Sequence, residues 1–165
     1  MSTHEPVVSQ QILDLIANKS DEQRSNRKMS PEVVEALKEC GFFKMLLPKQ
    51  WGGSEHRPQA FFAEQMRIAE ADMSTAWACG IVAVHAFQVA LMSEEAQREV
   101  YGDGPNALIS SSYNPVGAKA EMCEGGFMLS GRWGWSSGSD HCSWALLGGV
   151  MPGDGYRTFL IPRNQ

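Results

Sequence analysis

The chain has 165 residues, which is enough for one domain with a real core or for one domain and part of another. Hydrophobic residues make up 43% and charged residues 20% of it, both ordinary values for a globular protein. A net charge of −5, with lysine and arginine scattered along the chain, argues against nucleic acid as the main partner.

The first part of the chain carries helical patterns. Apolar residues recur at helical spacing from Val7 to Ile16, which predicts a first helix that continues to about Lys28. Ser30-Pro31-Glu32 combines an N-cap, a proline and an early carboxylate, so a second helix starts there and ends at Gly41. Residues 42–48 are too apolar for a loop, and we expect an extended, buried connector.

Three further helices are predicted. Pro58 opens the third, whose core-facing positions we expect to be Phe61, Phe62, Met66, Ile68 and Ala69. Asp72 or Ser74 caps the fourth, at residues 75–92, which is apolar on nearly all faces and should lie centrally among the others. Ser93 starts a short fifth helix.

From residue 107 onward, short apolar runs separated by glycine turns predict strands, at residues 107–111, 119–123, 127–133, 144–147 and 156–161. The predicted fold class is therefore α+β: an N-terminal all-helical domain, residues 1–105, followed by part of an antiparallel β-domain, residues 106–165. Five strands are few for a closed sandwich or barrel, so we expect the chain to be a piece of a longer protein.

The four cysteines are far apart and form no Cys-x-x-Cys pair. This spacing supports neither a zinc site nor a disulfide framework, so we expect reduced thiols, no bound metal and a cytoplasmic location. The sequence Met1 to Pro6 lacks the basic and then apolar pattern of a signal peptide. His85 and Gln88 argue against a membrane span in the apolar fourth helix.

Two segments combine small residues with hydroxyl groups. Residues 129–144 hold three of the five tryptophans, three glycines and a histidine, and residues 110–117 begin with three serines. Small residues let the backbone approach a flat ligand, indoles supply rigid apolar area, and hydroxyls supply hydrogen bonds. Composition alone favours a packed β-hairpin for residues 129–144, but because a second segment of the same kind lies upstream, we interpret the two segments as walls of one pocket.

Gly134-Trp-Ser-Ser-Gly138 also satisfies the Gly-x-Ser-x-Gly motif of serine hydrolases. That motif requires a strand that turns sharply into a helix. Residues 138–143 show no helical periodicity and lead into another strand, so we interpret the match as a coincidence. We expect Asp140 and His141 to be a solvated pair without a catalytic role.

The order of a helical and then a β-domain resembles the acyl-CoA dehydrogenase superfamily, and two motifs agree. Residues 47–53, Leu-Pro-Lys-Gln-Trp-Gly-Gly, resemble its Pro-x-x-x-Gly-Gly connector, and residues 131–137, Gly-Arg-Trp-Gly-Trp-Ser-Ser, resemble its Gly-Lys-x-x-Trp-Ile-Thr segment beside the flavin. Tyr113-Asn114-Pro115 replaces Thr-Glu-Pro, and Ser136-Ser137 replaces Ile-Thr. These changes resemble the oxygenase components of two-component flavin monooxygenases, of the phenolic secosteroid and 4-hydroxyphenylacetate hydroxylase type.

The resemblance implies an enzyme that uses reduced FMN, or FAD, and O2 through a C4a-hydroperoxide to hydroxylate a phenol beside its hydroxyl group. The implied partners are a flavin reductase, a phenolic substrate possibly derived from a steroid, and further copies in a homotetramer. By itself the 165-residue piece is expected to be inactive, since the relatives add a C-terminal helical bundle. No Gly-x-Gly-x-x-Gly fingerprint for a nicotinamide cofactor is present.

The resemblance also assigns residues. Those implied to line the flavin are Trp77, Ser111, Ser112, Tyr113, Trp135, Ser136 and Ser137. Ser137 would lie beside flavin N5, and His85 and Ser112 would face the phenol. Without the resemblance, Trp77 would be read as core, the serines as turn residues, and His85 as a buried histidine bonded to a backbone carbonyl.

Two other functions stay open at this point. An FAD-dependent acyl-CoA dehydrogenase relative would have its catalytic carboxylate in a third domain, so only the altered residues at 113–115 and 136–137 argue against it. A non-catalytic fragment that retains the fold without turnover is the second alternative, because half a flavin site loses most of its enclosing contacts.

Overall fold

Helices come first and strands follow in the computed structural model, which describes residues 6–164. The helices are α1 (Gln10–Asn26), α2 (Pro31–Glu39), α3 (Pro58–Ala71), α4 (Met73–Val89) and α5 (Glu94–Tyr101). The strands are β1 (Ile109–Ser112), β2 (Lys119–Cys123), β3 (Gly126–Ser130), β4 (Trp144–Met151) and β5 (Gly155–Pro162). Most of the signal-peptide interpretation, at residues 1–5, lies outside the described residues.

Four helices start at a polar side chain that accepts a hydrogen bond from the backbone N–H three residues later. Ser9 caps α1, Ser30 caps α2, Asp72 caps α4 and Ser93 caps α5. Such caps satisfy N–H groups that have no partner within the helix. The caps predicted at Ser30, Asp72 and Ser93 are confirmed.

The connector after α2 differs from the prediction. Phe42–Lys44 forms a short 3₁₀ helix rather than an extended segment, because Gly41, at φ 86°, turns the chain and lets Lys44 N–H bond to Gly41 O. The predicted burial of this segment is confirmed, since Phe42 and Phe43 are both buried. Phe42 packs on Phe61 of α3, with 5.3 Å between the ring centres.

The prediction for α3 is wrong at two positions. Phe61, Glu64 and Ile68 are buried, but Phe62 and Met66 are 53% and 67% exposed. Residues three or four apart share one face of a helix, and Phe62 and Met66 lie on the other side. They therefore contribute apolar surface to the outside of the helical layer.

The β-layer has a mixed sheet of order β1-β4-β5 and a separate β2-β3 hairpin. The predicted antiparallel pairing is confirmed for β4-β5 and β2-β3, but β1 and β4 are parallel, with Ile109 opposite Trp144. Parallel neighbours need a long crossover, which residues 113–143 supply. This crossover contains the hairpin and the tryptophan-rich segment.

The β-layer meets the helices at the turn before β4. Gly138 has φ 74°, and a Cβ atom there would lie 2.7 Å from Val82 Cγ2 of α4, so a glycine is needed for both reasons. A ring nitrogen of His141 bonds to Met29 O at 3.0 Å, and Cys142 is buried in the same core as Val82. These contacts fix the turn against α4.

Candidate functional site

A cleft of about 570 Å³ lies between the helices and the turn before β4. Its walls are the end of α1 with the loop after it, the first residues of α4, and residues 136–138, 140 and 141. Trp77 on α4 exposes 59% of its surface, and Ser136 and Ser137 are half-buried on the facing turn. The cleft thus offers an indole and two hydroxyl groups, which suit a planar ligand with polar edges.

Charged groups from all three walls line this cleft. Arg24, Arg27 and Lys28 come from the end of α1, while Asp72 and Asp140 line it from α4 and the turn. The carboxylate of Asp72 accepts hydrogen bonds from the backbone N–H and the hydroxyl of Thr75, at 2.7 and 2.6 Å. Asp72 is therefore engaged in capping α4.

The two hydroxyl-rich segments are joined by a hydrogen bond. Ser112 Oγ, at the end of β1, donates to Gly134 O at 2.6 Å. The indole N–H of Trp133 anchors the same segment by donating to Gly148 O at 2.8 Å. The predicted two walls therefore lie side by side, and the hydroxyl proton of Ser112 is committed to the backbone.

His85 lies on the part of α4 that faces the end of β1. Its side chain is 3% exposed, and neither ring nitrogen makes a hydrogen bond of good geometry. Burial lowers the pKa of His85 to about 4, and the Gln88 side chain opposes this shift in part. At neutral pH the imidazole is uncharged and keeps a lone pair that can accept a proton.

Tyr113 covers His85 from the β-layer. The two rings are perpendicular, with 6.3 Å between their centres. The Tyr113 hydroxyl donates to Gln88 Oε1 at 2.6 Å, and the Tyr113 carbonyl accepts from the hydroxyl of Tyr156 at 3.0 Å. An aromatic ring from the residue after β1 and a polar group from α4 therefore lie beside the imidazole, and Tyr156 of β5 holds the Tyr113 backbone.

The predicted site residues fall into two groups. Trp77, Ser136 and Ser137 line the cleft, while His85, Ser112 and Tyr113 lie around the end of β1. The Ser112–Gly134 hydrogen bond connects the groups. Their assigned roles stay predictions.

Two predicted residues belong to neither group. Trp135 is 99% exposed and has φ 60°, so its indole projects into solvent. Ser111 is buried within β1, where it pairs with Leu146 of β4. Left-handed backbone at a non-glycine residue is uncommon and cannot be read from the sequence, and it directs the Trp135 side chain outward.

The prediction for His141 is wrong in one respect. Its ring is half-buried and bonds to Met29 O, so it is not solvated like its exposed neighbour Asp140.

Gln88 was not predicted as a site residue. Its position one helical turn after His85, in an otherwise apolar helix, was the available signal.

The hydrolase motif lacks its structural context. Ser136 is followed by a short 3₁₀ helix, Ser139–His141, and then by β4, whereas the nucleophile elbow needs a longer helix.

Across residues 6–164, no group of three His, Cys, Asp or Glu side chains is placed to hold a metal ion. In the same range no helix has the length and hydrophobicity needed to span a bilayer.

The five helices of the helical layer correspond to a known protein domain. The family model described as acyl-CoA dehydrogenase, N-terminal domain, matches residues 7–104. The chain therefore belongs to the acyl-CoA dehydrogenase family.

Two proteins that are similar to this chain are oxygenase components. The chain is 41% identical over 158 residues to the flavin-dependent monooxygenase oxygenase subunit HsaA of Rhodococcus jostii. This alignment covers 93% of this chain and 41% of the relative. It is 36% identical to the oxygenase component of p-hydroxyphenylacetate 3-hydroxylase of Acinetobacter baumannii, covering 94% and 38%.

A solved structure has the same fold. The crystal structure of 3-HSA hydroxylase from Rhodococcus sp. RHA1 superposes with a TM-score of 0.87 at 39% identity, over 93% of this chain and 41% of that one. The chain thus spans about two fifths of the length of the relatives it matches.

Proposed function

We propose that this chain is the N-terminal part of the oxygenase component of a two-component flavin monooxygenase that hydroxylates a phenol. The observation that carries the proposal is the cleft lined by Trp77, Ser136 and Ser137, together with the buried imidazole of His85 further along the same helix, whose ring nitrogens make no hydrogen bond of good geometry. The similarity to two oxygenase components supports it. Their names imply a separate reductase as partner and an aromatic substrate.

The residues of the cleft fit an isoalloxazine. The exposed indole of Trp77 supplies a flat apolar surface, and the hydroxyls of Ser136 and Ser137 supply polar contacts at the edge of a ring system. We propose FMN as the flavin, with FAD as the alternative that the binding experiment below distinguishes. When bound in its reduced form, the flavin would supply the electrons that activate O2, of which one oxygen atom would be transferred to the phenol and the other would leave as water.

Ser137 would hold the proton at flavin N5. A hydroxyl group in a water-poor site is a donor and an acceptor, and it opposes loss of that proton by keeping it in a hydrogen bond. Leaving a buried polar atom unpaired costs about 1–3 kcal/mol, which corresponds to roughly fivefold to hundredfold in a rate ratio. We therefore assign Ser137 to the protection of the oxygenated enzyme.

His85 would accept the hydroxyl proton of the phenol. Because burial keeps the imidazole neutral, its lone pair is available at neutral pH. A phenol that shares its proton with a base has more electron density on the neighbouring ring carbon, which is the carbon that attacks the oxygen. Ser112, whose hydroxyl already donates to Gly134 O, can accept a further hydrogen bond from the substrate.

The test uses the protein at its natural length. Anaerobic titrations with reduced FMN and reduced FAD, followed by absorbance and tryptophan fluorescence, measure which flavin binds and how tightly. We expect tighter binding of FMN, and turnover with a flavin reductase and a phenol should consume O2 and give hydroxylated product. Absence of binding by either flavin would contradict the proposal.

Variants separate the assigned roles. Ser137→Ala should release about tenfold more hydrogen peroxide per product formed, because N5 loses its partner. Ser139→Ala changes a serine in the same turn that does not line the cleft, and it should leave the peroxide yield unchanged. His85→Ala should reduce hydroxylation while flavin affinity stays the same, and a normal rate would rule out its role as base.

A further inference from the structure

A phenol that belongs to the chain itself already lies beside His85. Tyr113 directly follows β1, and its ring meets the imidazole edge-on, with 6.3 Å between the ring centres. Its hydroxyl donates to Gln88 Oε1 at 2.6 Å. The side chain of Tyr113 is a para-alkylphenol, so the structure shows which group on α4 receives a phenolic hydroxyl at this place.

Gln88 is well placed to receive other phenols. It lies three residues after His85, and the two side chains are therefore neighbours on one face of α4. The Gln88 side chain also opposes in part the lowering of the His85 pKa by burial. An amide oxygen carries two lone pairs and accepts from any phenol in the same geometry.

The side chain of Tyr113 can leave without disturbing the sheet. Its backbone is fixed, because its carbonyl accepts from the Tyr156 hydroxyl and lies so close to Gly148 that a Cβ there would clash. The side chain is 39% exposed and is held at its tip by one solvent-exposed hydrogen bond to Gln88. Rotation between staggered side-chain conformations moves the ring while the backbone stays in place.

His85 indicates that another group belongs there. Both of its ring nitrogens are buried and lack a hydrogen-bond partner, and buried polar atoms are nearly always paired. Tyr113 does not provide that partner, because its hydroxyl bonds to Gln88 instead. A phenol of independent position can bond to the amide and lie closer to the imidazole than a tyrosine whose backbone is fixed.

We propose that Gln88 is a substrate-binding residue that accepts a hydrogen bond from the hydroxyl of the phenolic substrate, and that Tyr113 occupies this place until the substrate displaces it. The inference rests on the proposed function for the substrate class. It adds a contact that selects for a hydroxyl group, and it adds a side chain that competes with the substrate.

The experiment measures binding of p-cresol and of toluene to the flavin-free protein at its natural length by calorimetry. Gln88→Leu should weaken p-cresol binding about fivefold to tenfold, as expected for one lost hydrogen bond, and leave toluene unchanged. Tyr113→Phe should tighten p-cresol binding by about fivefold, because Gln88 then has no internal phenol to release. Gln88→Glu keeps an acceptor oxygen and should retain p-cresol binding.

Opposite effects of the two variants cannot arise from general damage to the fold. Gln50→Leu and Tyr101→Phe, which change a glutamine and a tyrosine elsewhere, should leave both affinities unchanged. Equal p-cresol affinity in Gln88→Leu and in the unaltered protein, weaker binding in Tyr113→Phe, or no p-cresol binding by any variant would overturn the inference. Flavin titration decides the proposed function separately, since it does not depend on Gln88.

Discussion

The helical layer and the β-layer differ in how much of their side-chain surface they bury. In the helical layer, buried Gln23 bonds to Thr75 and to Ser30 N–H, and buried Glu64 accepts from Val8 N–H and Arg67. The β-layer exposes many large apolar side chains, namely Val116, Met122, Phe127, Met128, Trp135, Val150 and Tyr156. The helical layer also exposes Phe62, Met66 and Leu91, so both layers present apolar surface, but most of the buried apolar core lies among the helices.

The comparison is tested most strongly by removing one large apolar side chain from each layer. Phe61 is 1% exposed and packs on Phe42, so Phe61→Ala should lower the free energy of unfolding by about 3–5 kcal/mol. Met128 on β3 is 61% exposed, and Met128→Ala should change it by less than about 0.5 kcal/mol. Urea unfolding of both variants measures the difference, and similar losses would contradict the distinction between the layers.

Among the described residues of the helical layer, two have buried side-chain polar atoms without a hydrogen-bond partner, His85 and Tyr101, and pH tests the first of them. The His85 pKa of about 4 in the folded protein lies below its ordinary value of 6.5, so the unfolded chain binds more protons between these values. The free energy of unfolding should therefore fall by about 3 kcal/mol as the pH decreases from 6.5 to 4.

The measurement is a series of urea titrations across this pH range. His85→Leu removes the titrating group, and its stability should depend less on pH by that amount. His141→Gln, which changes a half-buried histidine outside the β1 contact, should keep the dependence of the unaltered protein. An equal pH dependence in His85→Leu would show that His85 is not the source.

A pair of glycines sharpens the comparison at the junction of the layers. Gly138 and Gly125 both have positive φ, but a Cβ at Gly138 meets Val82, whereas nothing lies within 4 Å of one at Gly125. Both alanine variants lose about 1–2 kcal/mol from the left-handed backbone, and Gly138→Ala should lose about 1–3 kcal/mol more from overpacking. Equal losses in thermal unfolding would mean that the turn is not pressed against α4.

Local signals made much of the fold predictable. The caps at Ser30, Asp72 and Ser93 depend on a side chain and the backbone three residues later, so the sequence contains all of the necessary information. The parallel pairing of β1 with β4 was not predictable in this way, because it depends on residues that are distant in sequence. The predicted burial of Phe62 and Met66 is wrong because the packing partner decides which face of the helix is buried.

The candidate site was predictable to a different extent. The resemblance brought Trp77 and Ser137 to attention, and they line one cleft, but the outward direction of Trp135 follows from a backbone angle that no residue type announces. Gln88 was passed over because a single polar residue in an apolar helix has many explanations. Its contact with Tyr113 depends on the placement of β1 against α4, which sequence spacing does not specify.

The parallel pairing of β1 with β4 has a consequence during synthesis on the ribosome. All five helices are translated before β1, but β1 obtains its sheet partner only after the hairpin and the tryptophan-rich turn have been made. The nascent helical layer therefore emerges with an unpaired strand edge, which is a known risk for association with other chains. A chaperone that shields this edge during translation would act on the interval between residues 112 and 144.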